Sequence, residues 1–217
     1  MSVEKIMNKA KDQIEASFNS AIKNETEELG TILELINCYK IRSEDLCLND
    51  QVSEIIYDLF SALYLSMSGL YRQSYISMRC VLEMGVSLMM FNDNEYSYEL
   101  WLNNIEDIQW SKLNDYETGI LSSKYLNLYL PEGNMEILIE SIKHYYREFS
   151  EYVHGKHEYL LPFKDFKIQY SRENCKKSLK MCKDIIQALI TLLVIRFVNK
   201  ADDFYIIAEE SKKKFEV

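Results

Sequence analysis

Three histidines, His144, His154 and His157, are all that the 217-residue chain contains, and they fall within one short stretch. Arg147 lies in the same stretch, seven positions before His154. At 3.6 residues per turn, seven positions make close to two helical turns, so both side chains leave the same face, roughly 10 Å apart along the axis. An imidazole titrates near neutral pH and can take or give a proton in a transition state. A guanidinium grips a phosphate with two parallel hydrogen bonds and stabilises the charge that develops on it. Together they suit cleavage of an RNA phosphodiester, in which a 2′-hydroxyl loses a proton and the leaving 5′-oxygen gains one. One pair supplies only half of that set, and two copies facing each other across a two-fold axis would supply both an acid and a base. The same residues have a plainer reading. With 6 Arg and 3 His in the chain, such a spacing arises by chance in roughly one chain in four. A histidine beside Gly155 also suits a helix C-terminus, where a cation is favoured.

Other constellations carry less. Glu151 and His154 have the spacing of half a di-iron site, but the second Glu-x-x-His is missing. His154 and His157 could join Glu151 on zinc only if the helix ran through Gly155, where it is expected to stop. No metal and no cofactor is therefore expected. Arg72, Arg79 and Glu83 share a helix, and Arg79 with Glu83 at i, i+4 reads as a structural ion pair. Cys175 and Cys182, seven apart, read as packing residues on one helix face, and Cys38, Cys47 and Cys80 as small core residues. Most of the 16 Tyr lie at helical spacing beside Leu or Ile, which fits core and dimer packing better than base stacking.

The elements that must position these groups are helical almost throughout. Val3, Ile6, Met7, Ala10, Ile14 and Phe18 give an amphipathic first helix; after Asn24 the run Glu25, Glu27, Glu28 predicts a new helix start, ending near Tyr39. Ser43 to Asn49 reads as a loop. Gly69 divides the long apolar stretch from Val52 to Phe91 into two antiparallel helices. The second is the expected central helix, and Gly85 inside it points to a close helix–helix approach. Phe91 to Ser97 reads as a turn, and residues 98–130 as shorter helices around Trp101, Leu102, Ile105, Ile108 and Trp110. Beyond Pro131, Ile137, Leu138, Ile142, Tyr145, Phe149 and Tyr152 mark the buried stripe of the helix that carries Arg147 and His154. Residues 157–174 are the one strand- or loop-like segment. Ser171 caps a last long helix, the most apolar of all, running to about Lys200, and an amphipathic piece with Phe204, Ile206 and Ile207 follows.

Composition excludes several classes. With only 6 Gly and 2 Pro, a sandwich or barrel of many short strands is not expected. Neither GxGxxG nor GxxxxGK[ST] occurs, which argues against dinucleotide-binding and P-loop enzymes. Five Cys without a CxxC pair, no apolar signal core near residue 1 and no apolar run long enough to span a bilayer predict a reduced, soluble, cytoplasmic protein with no membrane partner. The net charge is −9, which argues against a generally basic nucleic-acid binder. The charge is unevenly spread, however. Residues 1–142 hold 10 basic and 23 acidic side chains, a net of −13, whereas residues 143–217 hold 15 and 11, a net of +4. The basic excess begins where the Arg147–His154 segment begins, and Lys156, Lys164, Lys167, Arg172, Lys176 and Lys177 follow. A solvated helix face explains such a run as well as a local RNA site does.

The segment YYREFSEYVHG, residues 145–155, resembles the signature of the HEPN superfamily, an Arg and a His separated by four to six residues; here Arg147 and His154 are separated by six. The stretch GLYRQSYISMRCVLE, residues 69–83, resembles the core helix of bacterial HEPN-like and abortive-infection proteins. Helices near 50–68, 70–91, 133–154 and 171–199 would form the bundle. The resemblance implies an all-α antiparallel HEPN-like bundle at 50–200, with an N-terminal helical extension at 1–49 and a short C-terminal helix at 201–217, all in one domain. It implies a homodimer that joins two motifs and a metal-independent endoribonuclease leaving a 2′,3′-cyclic phosphate, in the manner of toxins and antiphage effectors. RNA is then the substrate, and a cognate antitoxin or defence-system partner is expected. His154 is expected to be the acid or base and Arg147 the phosphate-binding residue, with Glu148, Ser150, Lys156 and His157 orienting them or touching substrate. His144, about 80° from His154 around the helix, is a weaker candidate. The chain departs from the family in two places. Glu148 follows the Arg, where Asn, Asp or His is usual, and Lys156 stands where one toxin branch has a Tyr. Two rival readings remain: a non-catalytic HEPN-like interaction or regulatory module, and a helical regulator that binds a small molecule in an apolar pocket.

Overall fold

Apolar residues at three- and four-residue steps run through nearly the whole chain, and helices follow from them. The computed structural model describes residues 2–43, 48–131, 134–156, 168–197 and 205–216, and no strand occurs among them. The protein is all-α. Its helices are α1 (Val3–Ser43), α2 (Asn49–Met67), α3 (Tyr71–Asp93), α4 (Glu95–Leu102), α5 (Trp110–Leu113), α6 (Ser123–Leu126), α7 (Glu136–Val153), α8 (Arg172–Arg196) and α9 (Tyr205–Phe215).

The two helices expected on either side of Asn24 are one helix with a kink. Glu25 alone leaves helical geometry, at φ −126° and ψ 25°. No Gly or Pro stands there to end the helix. Instead the Asn24 amide donates to the Ser20 carbonyl at 2.7 Å, and the Thr26 hydroxyl donates to the Ile22 carbonyl. Side chains that bond back onto the preceding turn bend a helix without breaking it. The bend turns Glu25 inward, where it accepts from the Tyr170 hydroxyl at 2.8 Å and meets Arg172 at 3.7 Å.

Between α2 and α3 the chain reverses at Gly69, whose φ of +79° is open to glycine at little cost. A Cβ there would also lie 2.7 Å from the backbone of Gln169. Past this corner the small residues Ser66, Ser74 and Ser178, all fully buried, bring α2, α3 and α8 together, with Ser66 at 2.8 Å from Ser74 and 2.6 Å from Ser178. Gly85 performs the same service further along. A Cβ on it would meet a methyl carbon of Leu189 at 2.5 Å, so the expected close approach is between α3 and α8.

The long helix α8 lies at the centre, against α1, α2, α3, α7 and α9. Residues from Ile185 to Leu193 are buried without a break. Its Ser171 cap forms as expected, accepting from the Asn174 N–H at 3.3 Å. Cys175 and Cys182 are fully buried within it, and burial pushes both thiols up to about 12. No helix among the described residues is long and apolar enough to cross a membrane.

Four details differ from the sequence reading. The turn expected over Phe91–Ser97 narrows to Asn94, whose side chain accepts from the Ser97 N–H at 3.0 Å and starts α4 at once. Ile137 is 38 % exposed, because the buried stripe of α7 begins at Leu138. Cys80 is exposed rather than in the core. Ser43 ends α1 and Asn49 begins α2, so both ends of the expected Ser43–Asn49 loop are helical. Cys47, most of the strand- or loop-like segment, residues 198–200 and Phe204 lie outside the described residues.

Candidate functional site

α7 holds its outward face steady by what it buries on the other. Leu138, Ile142, Phe149 and Tyr152 sit in the core, each lying one or two turns from the next. Burying a side chain the size of Phe149 is worth about 1.5–3 kcal/mol. The Tyr75 ring of α3 packs on both Phe149 and Tyr152, with centroids 6.0 and 4.4 Å away. Two tyrosines then tie α7 sideways. The Tyr145 hydroxyl donates to Asp184 of α8, which also holds Lys214 of α9. The Tyr146 hydroxyl donates to Glu83 at 3.0 Å and accepts from Arg79 at 2.9 Å, while its ring stacks on Trp110 at 3.7 Å. The expected Arg79–Glu83 pair forms at 3.4 Å and is thus part of a three-residue clamp.

The end of α7 is built as a glycine cap. His154 is the last residue with helical backbone angles, and its N–H reaches the Ser150 carbonyl at 2.9 Å. Gly155 takes φ +67°, and the Lys156 N–H returns to the Glu151 carbonyl at 3.3 Å. This is the six-to-one bond of a Schellman motif. Arg72 of α3 adds a further tie, donating from Nε to the Tyr152 carbonyl at 3.3 Å. It satisfies one of the carbonyls that a helix end leaves over.

Helical geometry therefore persists through both Arg147 and His154. They stand about 10 Å apart along one outward stripe, and both are exposed. Neither side chain makes a hydrogen bond or ion pair among the described residues. The acid beside Arg147 is not left facing the same space. Glu148 is mostly covered, accepts from Lys177 of α8 at 2.9 Å and lies 3.6 Å from His144. Burial is the largest single influence on Lys177 and opposes its charge, but the hydrogen bond and charge of Glu148, with Tyr152 beside them, together outweigh it, and its pKa lies above the usual lysine value. Lys180, exposed, lies one turn from both Lys177 and Asp184, the α8 residues that bond to α7. Lys176 is exposed one position before Lys177. Of the basic run read from the sequence, Lys177 reaches α7 at Glu148, next to Arg147, whereas Arg172 turns to Glu25 of α1.

The remaining candidates divide. The Ser150 hydroxyl donates to the Tyr146 carbonyl of its own helix at 2.8 Å. Lys156 pairs with Glu151 at 2.5 Å. His157, Lys164 and Lys167 lie outside the described residues. No group of three or more His, Cys, Asp or Glu that could hold a metal ion occurs among the described residues. Two residues gain a role that sequence reading did not give them. Arg72 fixes the end of α7, and Lys177 neutralises Glu148. Both were visible as basic residues on helices, but their partners come from other helices, and no local spacing reveals them. Comparison with protein-family models, curated proteins and solved structures finds no match to this chain.

Proposed function

We propose that the chain is a HEPN-like, metal-independent endoribonuclease built on an antiparallel helical bundle with an N-terminal helical extension, acting as a toxin or antiphage effector. The observation that carries this reading is the Arg147–His154 stripe: two exposed side chains on one face of a firmly anchored helix, with the neighbouring acid drawn aside by Lys177. In the proposed reaction Arg147 holds the scissile phosphate. The 2′-oxygen attacks phosphorus, the bond to the 5′-oxygen breaks, and a 2′,3′-cyclic phosphate and a 5′-hydroxyl result. His154 takes the 2′-hydroxyl proton or delivers one to the leaving oxygen, and a second copy of the chain contributes the complementary group.

The test is cleavage of total RNA or tRNA in the presence of a chelator. Wild type is expected to cut, and His154→Ala and Arg147→Ala to lose about 10²–10⁴-fold of the rate, the usual worth of a general acid or base, with unchanged helical circular dichroism. Equal cleavage by wild type and His154→Ala, or none by wild type, overturns the assignment. A second reading, a non-catalytic interaction module, is favoured by a different observation: several apolar side chains of α1 and α2 face solvent, among them Tyr57, Phe60 and Tyr64. Expression separates the two. A wild-type chain harmless to its host, with and without its defence partner, speaks for the module.

A further inference from the structure

The exposed apolar residues of α1 and α2 are not scattered. Tyr57, Phe60 and Tyr64 follow one another at i, i+3 and i+7 and are 68 %, 50 % and 56 % exposed. They form a ridge along α2. Beside the ridge runs a groove between α1 and α2, in which two hollows of about 490 and 470 Å³ share Phe18 and Tyr64. The second hollow is almost wholly apolar, continuing along α1 through Ile22, Leu29 and Leu33.

The size of this face matters. At about 200 Å² per ring, the three ridge aromatics alone leave about 350 Å² in water. Met7, Ile22 and Leu33 are 63 %, 44 % and 47 % exposed and extend the same face. The whole exceeds the few hundred Å² usual for a monomer's largest apolar patch. It approaches the roughly 800 Å² that one partner gives to a stable interface.

The character of the face selects its occupant. The charged residues that line the groove, Lys11 and Glu15, cancel, so the face offers no net positive charge to a nucleic acid or an anionic membrane. Ridge and groove lie side by side on one surface, which is the requirement for a self-complementary two-fold contact. The rim agrees. Lys11 and Glu15, one helical turn apart, lie at one end of the groove and leave the rest of it apolar.

We propose that the α1–α2 face seats a second copy of this chain, the aromatic ridge of each protomer lying in the groove of the other. This inference does not rest on the ribonuclease reading. It also separates two roles that the sequence reading had joined. α7 packs on α3 and α8, whereas the groove belongs to α1 and α2, so this dimer leaves both Arg147–His154 stripes outside its seam. The contact that would bring the two stripes together is then a second one, made through the polar face of α7 only when RNA is bound.

Sedimentation of the full chain over a concentration series tests the proposal. Wild type is expected at twice 25.7 kDa. The Phe60→Glu, Tyr64→Glu double variant should sediment as a monomer with unchanged helical circular dichroism, its dissociation constant raised at least about 100-fold. Arg147→Glu should remain dimeric. Carboxyl-to-amine cross-linking of mixed isotope-labelled and unlabelled wild type offers a readout free of substitutions, and should join residues of α1 and α2 between copies. A wild-type chain that stays monomeric at its highest soluble concentration overturns the proposal. So does a dimer indifferent to the double variant, or one whose intermolecular cross-links all fall on α7.

Discussion

Glu148 sits beside the arginine proposed to hold phosphate, and its charge is neutralised by a lysine from another helix. The 2.9 Å contact with Lys177 is charge-assisted and half-covered, a class of bond worth more than a neutral one but less than its Coulomb energy in a dry interior. Removing Lys177 therefore does two things: it deletes one positive charge and exposes a negative one next to Arg147. Lys177→Ala is expected to weaken RNA binding about 5–10-fold at low salt, close to the 1.4 kcal/mol that corresponds to tenfold. Adding Glu148→Gln should restore most of that loss. Fluorescence anisotropy on a short RNA measures both. If the double variant binds as weakly as Lys177→Ala alone, the lysine acts through its own phosphate contact and not through Glu148. Arg147 and His154 were legible from sequence because seven residues on a helix have a fixed geometry. The Lys177–Glu148 and Arg72–Tyr152 contacts were not, since each joins two helices whose mutual rotation no local pattern encodes.

Helix ends and crossings depend on a few small residues. Gly69 is the sharpest case. Any side chain at φ +79° is strained, at a cost of about 1–2 kcal/mol, and the atom a Cβ would meet is the Gln169 backbone at 2.7 Å, which cannot rotate away. Gly69→Ala is expected to cost at least about 2 kcal/mol, or several degrees in melting temperature for a chain of this size. Thermal circular dichroism measures it, and an unchanged melting point would contradict the tight corner. Gly69 and Gly85 were readable because glycine inside an apolar helical run has few other uses. The buried stripe of α7 was readable from its period. The continuity of α1 was not: Asn24 followed by acidic residues resembles a helix start, and only the back-bonds of Asn24 and Thr26 show that the chain bends and goes on. The turn after α3 shrank for a related reason, since Asn94 serves as the end of one helix and the cap of the next.

Across the whole molecule, net positive charge and apolar surface are kept apart. The acidic first 142 residues carry the apolar α1–α2 face, and the basic remainder carries the Arg147–His154 stripe. Tyrosine is distributed differently, and its burial spans both parts. Tyr39 on α1, Tyr71 and Tyr75 on α3, Tyr125 on α6 and Tyr145 on α7 all have hydroxyls pushed above the ordinary tyrosine value by burial, Tyr71 to about 12. For Tyr125 and Tyr145 the neighbouring carboxylates of Asp93 and Asp184 add to the effect. The folded protein thus holds these protons more tightly than the unfolded chain does. Their contribution to stability is fully present below about pH 10, the unfolded value, and is lost as the pH rises toward the folded values. The linkage slope has that sign because, in this window, the folded state binds more protons. These residues lie on four helices, so no local opening frees them together. Helical circular dichroism and tyrosinate absorbance, recorded in one alkaline titration, are expected to change in a single cooperative step above pH 10. A gradual rise in tyrosinate absorbance, with the helical signal intact to pH 12, would mean that the buried hydroxyls reach solvent without unfolding the core.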